Sequence, residues 1–454
     1  MDAAMDGGRG SAAVRFGPIR RSGRRCSAAL VLALALVAAG CTKHGPPVTA
    51  PLAAPASSSP PAPSPPVASP SPTAQVLGAP VHRIRGPLHT VGTQIVDGRD
   101  HPVRLISIGI NGMQKGSGTP KTEPQPYSGC SGWRPLEQAA YRQIPSWGFN
   151  SIRLQITWAN LEPSPPGKRP DGTLVHHWNQ AYLAEVDQIV DGFASRGVAA
   201  ILDMNQVRWS PVFHHIPLPS GGKLCGTGMP TWLYSPDLGI DSIAPVEEGF
   251  FANKGGVQDL FIDVWKFLAR RYAKQPMFIG ADILNEPYDI LVTSYPGGTD
   301  VRPAGLRLRE FYEKVGSAIH EVNPNLLLIF EDNRSKRTSL WSVVGRPDLP
   351  NEVFSLHWYP EEWDAPEGLA RLKRYLDRAR GWDLPIWIGE FNAFRYTSWF
   401  SHKATWASDL RKFVAYAKQN DIGWTITSYG SGQILQLGSD QPKPDILSIL
   451  ATGY

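Results

Sequence analysis

Two glutamates end strand-like runs: Glu286 in ADILNEPYDI (residues 281–290) and Glu390 in PIWIGEFN (residues 385–392). In both, an apolar stretch that reads as buried strand stops at polar side chains, and Pro287 cannot extend strand pairing. The two acids are 104 residues apart, so only a fold brings them together. Two carboxyls facing one cavity do defined chemistry. One, protonated, releases the leaving oxygen of a glycoside; the other, ionised, attacks the anomeric carbon. Nearby anions repel, which keeps a proton on one of them. Other polar residues share the strand-end setting: Arg153 within SIRLQI, Asp203-Met204-Asn205-Gln206, His357-Trp358-Tyr359 and Ser428-Tyr429.

Strand-like runs lie at 103–110, 151–156, 198–204, 278–284, 326–330, 353–358, 385–390 and 422–428. Amphipathic stretches separate them, at 176–197, 260–274, 304–322, 367–380 and 404–419, and 443–451 closes the chain. In the first, Leu183, Val186, Ile189, Val190 and Phe193 form one stripe. Eight strands, each followed by a helix or long loop, predict an α/β fold, the (β/α)8 TIM barrel. An open doubly wound sheet is the alternative, but IGINGMQKG after the first strand is not a phosphate-binding glycine turn. In a barrel of this kind active residues gather where strands end. Strands four and seven face each other across the mouth, so Glu286 and Glu390 meet there.

The front of the chain is of another kind. Arg20 to Arg25 is a basic cluster followed by an apolar run, Cys26–Gly40, of about fifteen residues, short for a membrane span and right for a signal peptide. The run ends Val37-Ala38-Ala39-Gly40-Cys41, which resembles the lipobox of bacterial lipoproteins; the other reading is a plain secretory signal. Twelve prolines among residues 46–80 exclude a packed core and predict a disordered tether. The expected organisation is a signal over 1–40 with Cys41 lipidated, a Pro/Ser/Ala-rich linker over 41–84 and a catalytic body over 85–454. That places the protein outside the cell, lipid-anchored at the membrane of a bacterial envelope. Cys130 and Cys225 remain as a pair; an oxidising compartment favours a disulfide over two buried thiols. The net charge of +5 is concentrated at the front, where six arginines face Asp2 and Asp6 before residue 41. The body is near neutral, which argues against nucleic acid.

With these residues in view, the body resembles glycoside hydrolase family five, the cellulase-like retaining (β/α)8 glycosidases. The resemblance rests on Asn285-Glu286-Pro287, Glu390-Phe391, Arg153 with its Gly148–Leu154 context, Trp158, Leu161-Glu162-Pro163 and His357-Trp358-Tyr359, and covers about residues 90–430. It implies a retaining β-glycosidase, a monomer acting on carbohydrate without cofactor or metal. It implies that Glu286 is the acid/base and Glu390 the nucleophile, with Asn285 on the substrate 2-hydroxyl. Arg153 and Tyr359 then bind Glu390, and His357 lines the site near Glu286. Trp158 and Trp358 are the tryptophans favoured to stack on sugar.

Two departures stand out. Many relatives end strand three in Asp-x-His, where this chain has Asn205; Thr427 stands where strand eight usually carries a tryptophan, so Tyr429 or Trp424 replaces it, or the floor is open. Both put the common glucan and mannan specificities in question. A carbohydrate-binding envelope lipoprotein without turnover is the competing function, disfavoured by an arginine beside a paired carboxylate. A metal-dependent hydrolase is a third, disfavoured because strand one carries no His-x-His.

Overall fold

Runs rich in Ile, Val and Leu favour extended backbone, and eight of them form a ring. The computed structural model describes residues 84–114, 132–207, 209–211, 215–217, 223–234, 249–287, 302–332, 344–364, 367–394, 403–430, 432–436 and 439–454. The signal segment with Cys41, the proline-rich linker and the Cys130–Cys225 pairing lie outside the described residues. The strands are β1 (Ile106–Ile110), β2 (Ser151–Ile156), β3 (Ala199–Met204), β4 (Phe278–Asp282), β5 (Leu327–Glu331), β6 (Glu352–His357), β7 (Ile386–Phe391) and β8 (Gly423–Tyr429). Neighbours pair in parallel and β8 pairs back onto β1, closing the barrel. An open doubly wound sheet is thereby excluded.

Around it lie α1 (Ala140–Ser146), α2 (Gln180–Ala194), α3 (Val257–Arg271), α4 (Arg302–His320), α5 (Gly368–Gly381), α6 (Trp406–Gln419) and α7 (Pro444–Ala451). The start of α2 is capped by Asn179, whose side-chain oxygen accepts from the Tyr182 N–H at 3.2 Å. Phe261, Val264, Trp265 and Leu268 of α3 are buried, each worth roughly 1.5–3 kcal/mol as apolar surface removed from water. The Trp265 indole N–H also donates to the carbonyl of Ile283 at 3.2 Å. That bond ties α3 to the segment that carries Asn285 and Glu286.

Alternate strand residues point to opposite sides of the wall, and the core is divided accordingly. Ile201, Ile279, Leu327, Ile329, Val353 and Trp387 fill the lumen, while Leu202, Leu328, Phe330, Phe354 and Leu356 join the helices outside. Ile84, Leu88 and Ile95 seal the lower end of the lumen. They belong to or flank an antiparallel hairpin, His89–Val91 with Gln94–Val96, where the sequence reading assigned no element. Toward the carboxyl ends the lumen turns polar, with Arg153, Gln155, Asp203, Asp282, Glu331, His357 and Glu390 all buried. Strict alternation from Trp387, which faces in, would turn Glu390 outward. A register irregularity between Ile388 and Phe391, with another at Leu356/His357, brings Glu390 opposite His357 and aims its carboxylate into the lumen.

Candidate active site

Arg153 is the hub. It stands on β2, 1% exposed, and uses its whole guanidinium. Nε donates to Asp282 Oδ2 at 2.7 Å, Nη1 to Glu390 Oε1 at 2.5 Å, and Nη2 to Asn285 Oδ1 at 2.9 Å and Glu331 Oε1 at 3.2 Å. Asp203 Oδ2 lies 3.2 Å from Nη1. Burial works against the charge, but Asp203, Asp282, Glu390 and Glu331 outweigh it and hold the group well above its usual value. The same burial raises Asp203 well above the carboxylate range and Asp282 to about 7, with Arg153 opposing both shifts.

Glu390 is fixed by three donors. Its Oε1 accepts from Arg153 and from the Gln155 amide at 2.8 Å, and its Oε2 accepts from the Tyr359 hydroxyl. Gln155 is itself oriented, since its oxygen accepts from Gln114 at 2.7 Å, whose own oxygen accepts from the Gly112 N–H at 2.6 Å.

Glu286 lies just past β4 with left-handed backbone, φ 44°, a conformation uncommon for a residue with a Cβ. Its N–H donates to Glu331 Oε2 at 2.8 Å, and Gln206 clamps the segment from below through the carbonyls of Asn285 (2.7 Å) and Glu286 (2.9 Å). His357 Nδ1 is 2.7 Å from Glu286 Oε1 and 3.7 Å from Glu390 Oε2; Nε2 is 3.0 Å from Glu331 Oε1. Burial disfavours the imidazolium, yet Glu331, Glu390 and Glu286 overcome it and push the ring up to about 10. One atom each from Glu286, His357 and Glu390 lie within 4.8 Å of one another. The two carboxylates thus stand near the ~5–5.5 Å of retaining glycosidases and well short of the ~6.5–9.5 Å of inverting ones.

The structure brings together Glu286, Glu390, Arg153, Asn285, His357 and Tyr359. Asn205 closes β3 with its amide nitrogen 3.2 Å from Asp203 and its oxygen accepting from the Thr227 hydroxyl at 3.3 Å. Three expectations need correction. Trp158, 1% exposed, packs edgewise on Trp232 and Phe261 and donates to Glu162, so no ring face is open to sugar. Trp358 follows an inward-facing histidine and therefore points out, against Tyr375 and under Arg371. Tyr429 also faces the helical shell, beside Trp147, with its hydroxyl donating to Gln143. The sequence reading missed Glu331, Asp282, Gln155 and Gln114, and gave Gln206, noted at the end of strand three, no role. The signal for Glu331 was available, because LLLIFED ends strand five in acids.

Comparison with known proteins agrees with this geometry. Residues 114–433 match the family described as Cellulase (glycosyl hydrolase family 5). The chain belongs to that family, whose members are retaining glycosidases. It is 25% identical over 382 residues to an endoglucanase of Paenibacillus polymyxa, covering 78% of this chain and 82% of the relative. It is 24% identical over 336 residues to an endoglycoceramidase of Hydra vulgaris, covering 63% of this chain and spanning only 57% of that relative's length. Its fold is similar to an endogalactoceramidase crystal structure, with TM-score 0.62, 22% identity, and 81% and 85% of the two chains covered. Endo-glycoceramidase II from Rhodococcus sp., solved as a lactosyl-enzyme intermediate, gives 0.58 at 19% identity over 78% and 80%.

Proposed function

We propose that the chain cleaves the β-glycosidic bond between a glycan headgroup and a lipid aglycone by double displacement, with Glu390 as nucleophile and Glu286 as acid/base. The observation that carries the chemistry is the placing of the two carboxylates within 4.8 Å of each other and of His357. Glu390 Oε1 is taken up by Arg153 and Gln155, so Oε2, the oxygen beside His357 and Glu286, attacks the anomeric carbon. The glycosidic C–O bond breaks as Glu286 gives its proton to the leaving oxygen. Glu286, now a base, takes a proton from water, whose oxygen displaces Glu390 and restores the starting configuration. Asn285, fixed by Arg153 and Gln206, holds the substrate 2-hydroxyl. The lipid aglycone is supported by the endoglycoceramidase names among relatives and structural neighbours. A β-glucan is the second reading, favoured by the endoglucanase, the relative matched over the larger share of its length. Attachment through Cys41, with the proline-rich segment as tether, suits a substrate at an envelope surface.

Glycosylceramide and cello-oligosaccharide assays in parallel decide the substrate: release of intact oligosaccharide from the lipid supports the first reading, and turnover of the glucan alone replaces it with the second. Glu390→Ala abolishes release of an aryl β-glycoside, and azide restores a glycosyl azide of inverted configuration; full activity in this variant removes the nucleophile assignment. Glu286→Ala loses about 10²–10⁴-fold on poor leaving groups and far less on activated ones, whereas equal losses on both count against its acid role.

A further inference from the structure

Glu331 is a buried carboxylate, 1% exposed, at the last position of β5, and the two-carboxylate mechanism does not use it. Its contacts divide between its oxygens. Oε2 accepts from the N–H of Glu286 at 2.8 Å. Oε1 accepts from Arg153 Nη2 at 3.2 Å and stands 3.0 Å from His357 Nε2. We infer that Glu331 is a positioning residue that ties the acid/base to the nucleophile: one oxygen holds the backbone of Glu286, and the other anchors the two cationic side chains that face Glu286 and Glu390. The inference rests on the proposed double displacement and deepens it.

Three observations converge. Glu286 is held in left-handed backbone at φ 44°, so a bond to its own N–H fixes where its carboxyl points. Arg153 spends one nitrogen jointly on Glu331 and Asn285 and another on Glu390, so the strap on β5 also sets the angle at which Arg153 meets the nucleophile. The His357 ring reaches Glu286 through one nitrogen and Glu331 through the other. A carboxylate is the group this site accepts, because donors approach both oxygens. A glutamine presents its amide N–H to one of those donors and loses a bond on one side whichever way it turns.

The charged groups facing His357 are Glu286 and Asp282 from β4 and its extension, Glu331 from β5 and Glu390 from β7. Removing the Glu331 charge leaves the ring with less support for its proton, and Glu286 with a weaker partner just when it must hand a proton to the leaving group. The loss is therefore selective, because an activated aryl leaving group needs little protonation and a lipid or sugar alcohol needs it fully.

The test is Glu331→Gln in the full chain, compared with the unsubstituted chain in two measurements. The first is kcat/KM, which reports the glycosylation step, on a 2,4-dinitrophenyl β-glycoside and on a β-glycoside of an unactivated alcohol. The expected result is a loss of about 100-fold on the unactivated substrate, the scale of a misplaced catalytic group, with a much smaller loss on the activated one. The second is ¹⁵N NMR of the His357 imidazole against pH, where the variant releases its ring proton at lower pH than the unsubstituted chain. Losses equal within about twofold on both substrates, together with an unmoved titration, overturn the inference and leave Glu331 a packing residue. If the variant does not fold, the unsubstituted chain decides: a His357 ring that is neutral at neutral pH overturns the strap, and a doubly protonated ring supports it. An unsubstituted chain that turns over no glycoside contradicts the proposed function instead, and the imidazole spectrum still judges Glu331 separately.

Discussion

At the scale of single residues, charge balance inside the lumen governs behaviour. Arg153 and His357 face Asp203, Asp282, Glu331 and Glu390 in a largely buried space, and burial raises the proton affinity of Asp203 and Asp282. His357 ionises far above the ~6.5 of an unstrained histidine, at about 10. Between those values the folded chain binds a proton that the unfolded chain has released. The stabilisation is therefore complete below ~6.5 and falls away as pH rises toward 10. Thermal unfolding against pH should show stability declining across that window, with a shallower decline in His357→Gln; identical slopes contradict the charge assignment. The central residues were legible because Glu286, Glu390, Asn285, His357 and Tyr359 are polar at the ends of apolar runs and Arg153 is a charge set inside one. Trp158, Trp358 and Tyr429 were misjudged because residue type does not say which way a ring faces. Trp358 is one position from His357, and that single step moves it from lumen to shell.

Among elements, the strands were readable and their irregularities were not. Apolar runs located all eight barrel strands within a few residues, but no sequence signal marked the register shift that turns Glu390 inward. α1 escaped notice because it is short and contains Pro145. Two strands approach closely beside the site at Gly389 on β7. A Cβ placed there meets Ser355 Oγ at 2.6 Å and His357 Nε2 at 3.0 Å, so the absence of a side chain lets β6 carry His357 against β7. Gly389→Ala should cost roughly 1–3 kcal/mol of stability by overpacking and about 100-fold in kcat through displacement of His357. Gly381→Ala, where a Cβ meets nothing within 4 Å, serves as the control and should leave both unchanged within error. Denaturant unfolding and steady-state kinetics on the pair check this; a Gly389→Ala variant that matches the control contradicts the packing argument.

For the whole molecule, stability and chemistry are placed at opposite ends of one barrel. The lower lumen is apolar and plugged by the N-terminal hairpin; the upper lumen is charged and carries Glu390, with Glu286 beside it, the pair proposed to act on the glycoside. Leu88 is 1% exposed in the plug. Leu88→Ala should cost about 2–5 kcal/mol, read as a lower denaturation midpoint, with kcat and leaving-group dependence unaltered below the transition. A fall in kcat without loss of stability contradicts the division. The closed α/β architecture was legible from the alternation of strand and helix patterns. The plug was not, because its two three-residue strands are too short to show a period.

The account turns on Glu390 forming a bond to sugar with Glu286 beside it. The direct measurement is to trap the enzyme with an activated 2-deoxy-2-fluoro-β-glycoside and map the adduct by peptide mass spectrometry. The account predicts one sugar added per chain, on Glu390. An adduct on any other residue, or a first-formed product of inverted configuration from the unsubstituted chain, contradicts it.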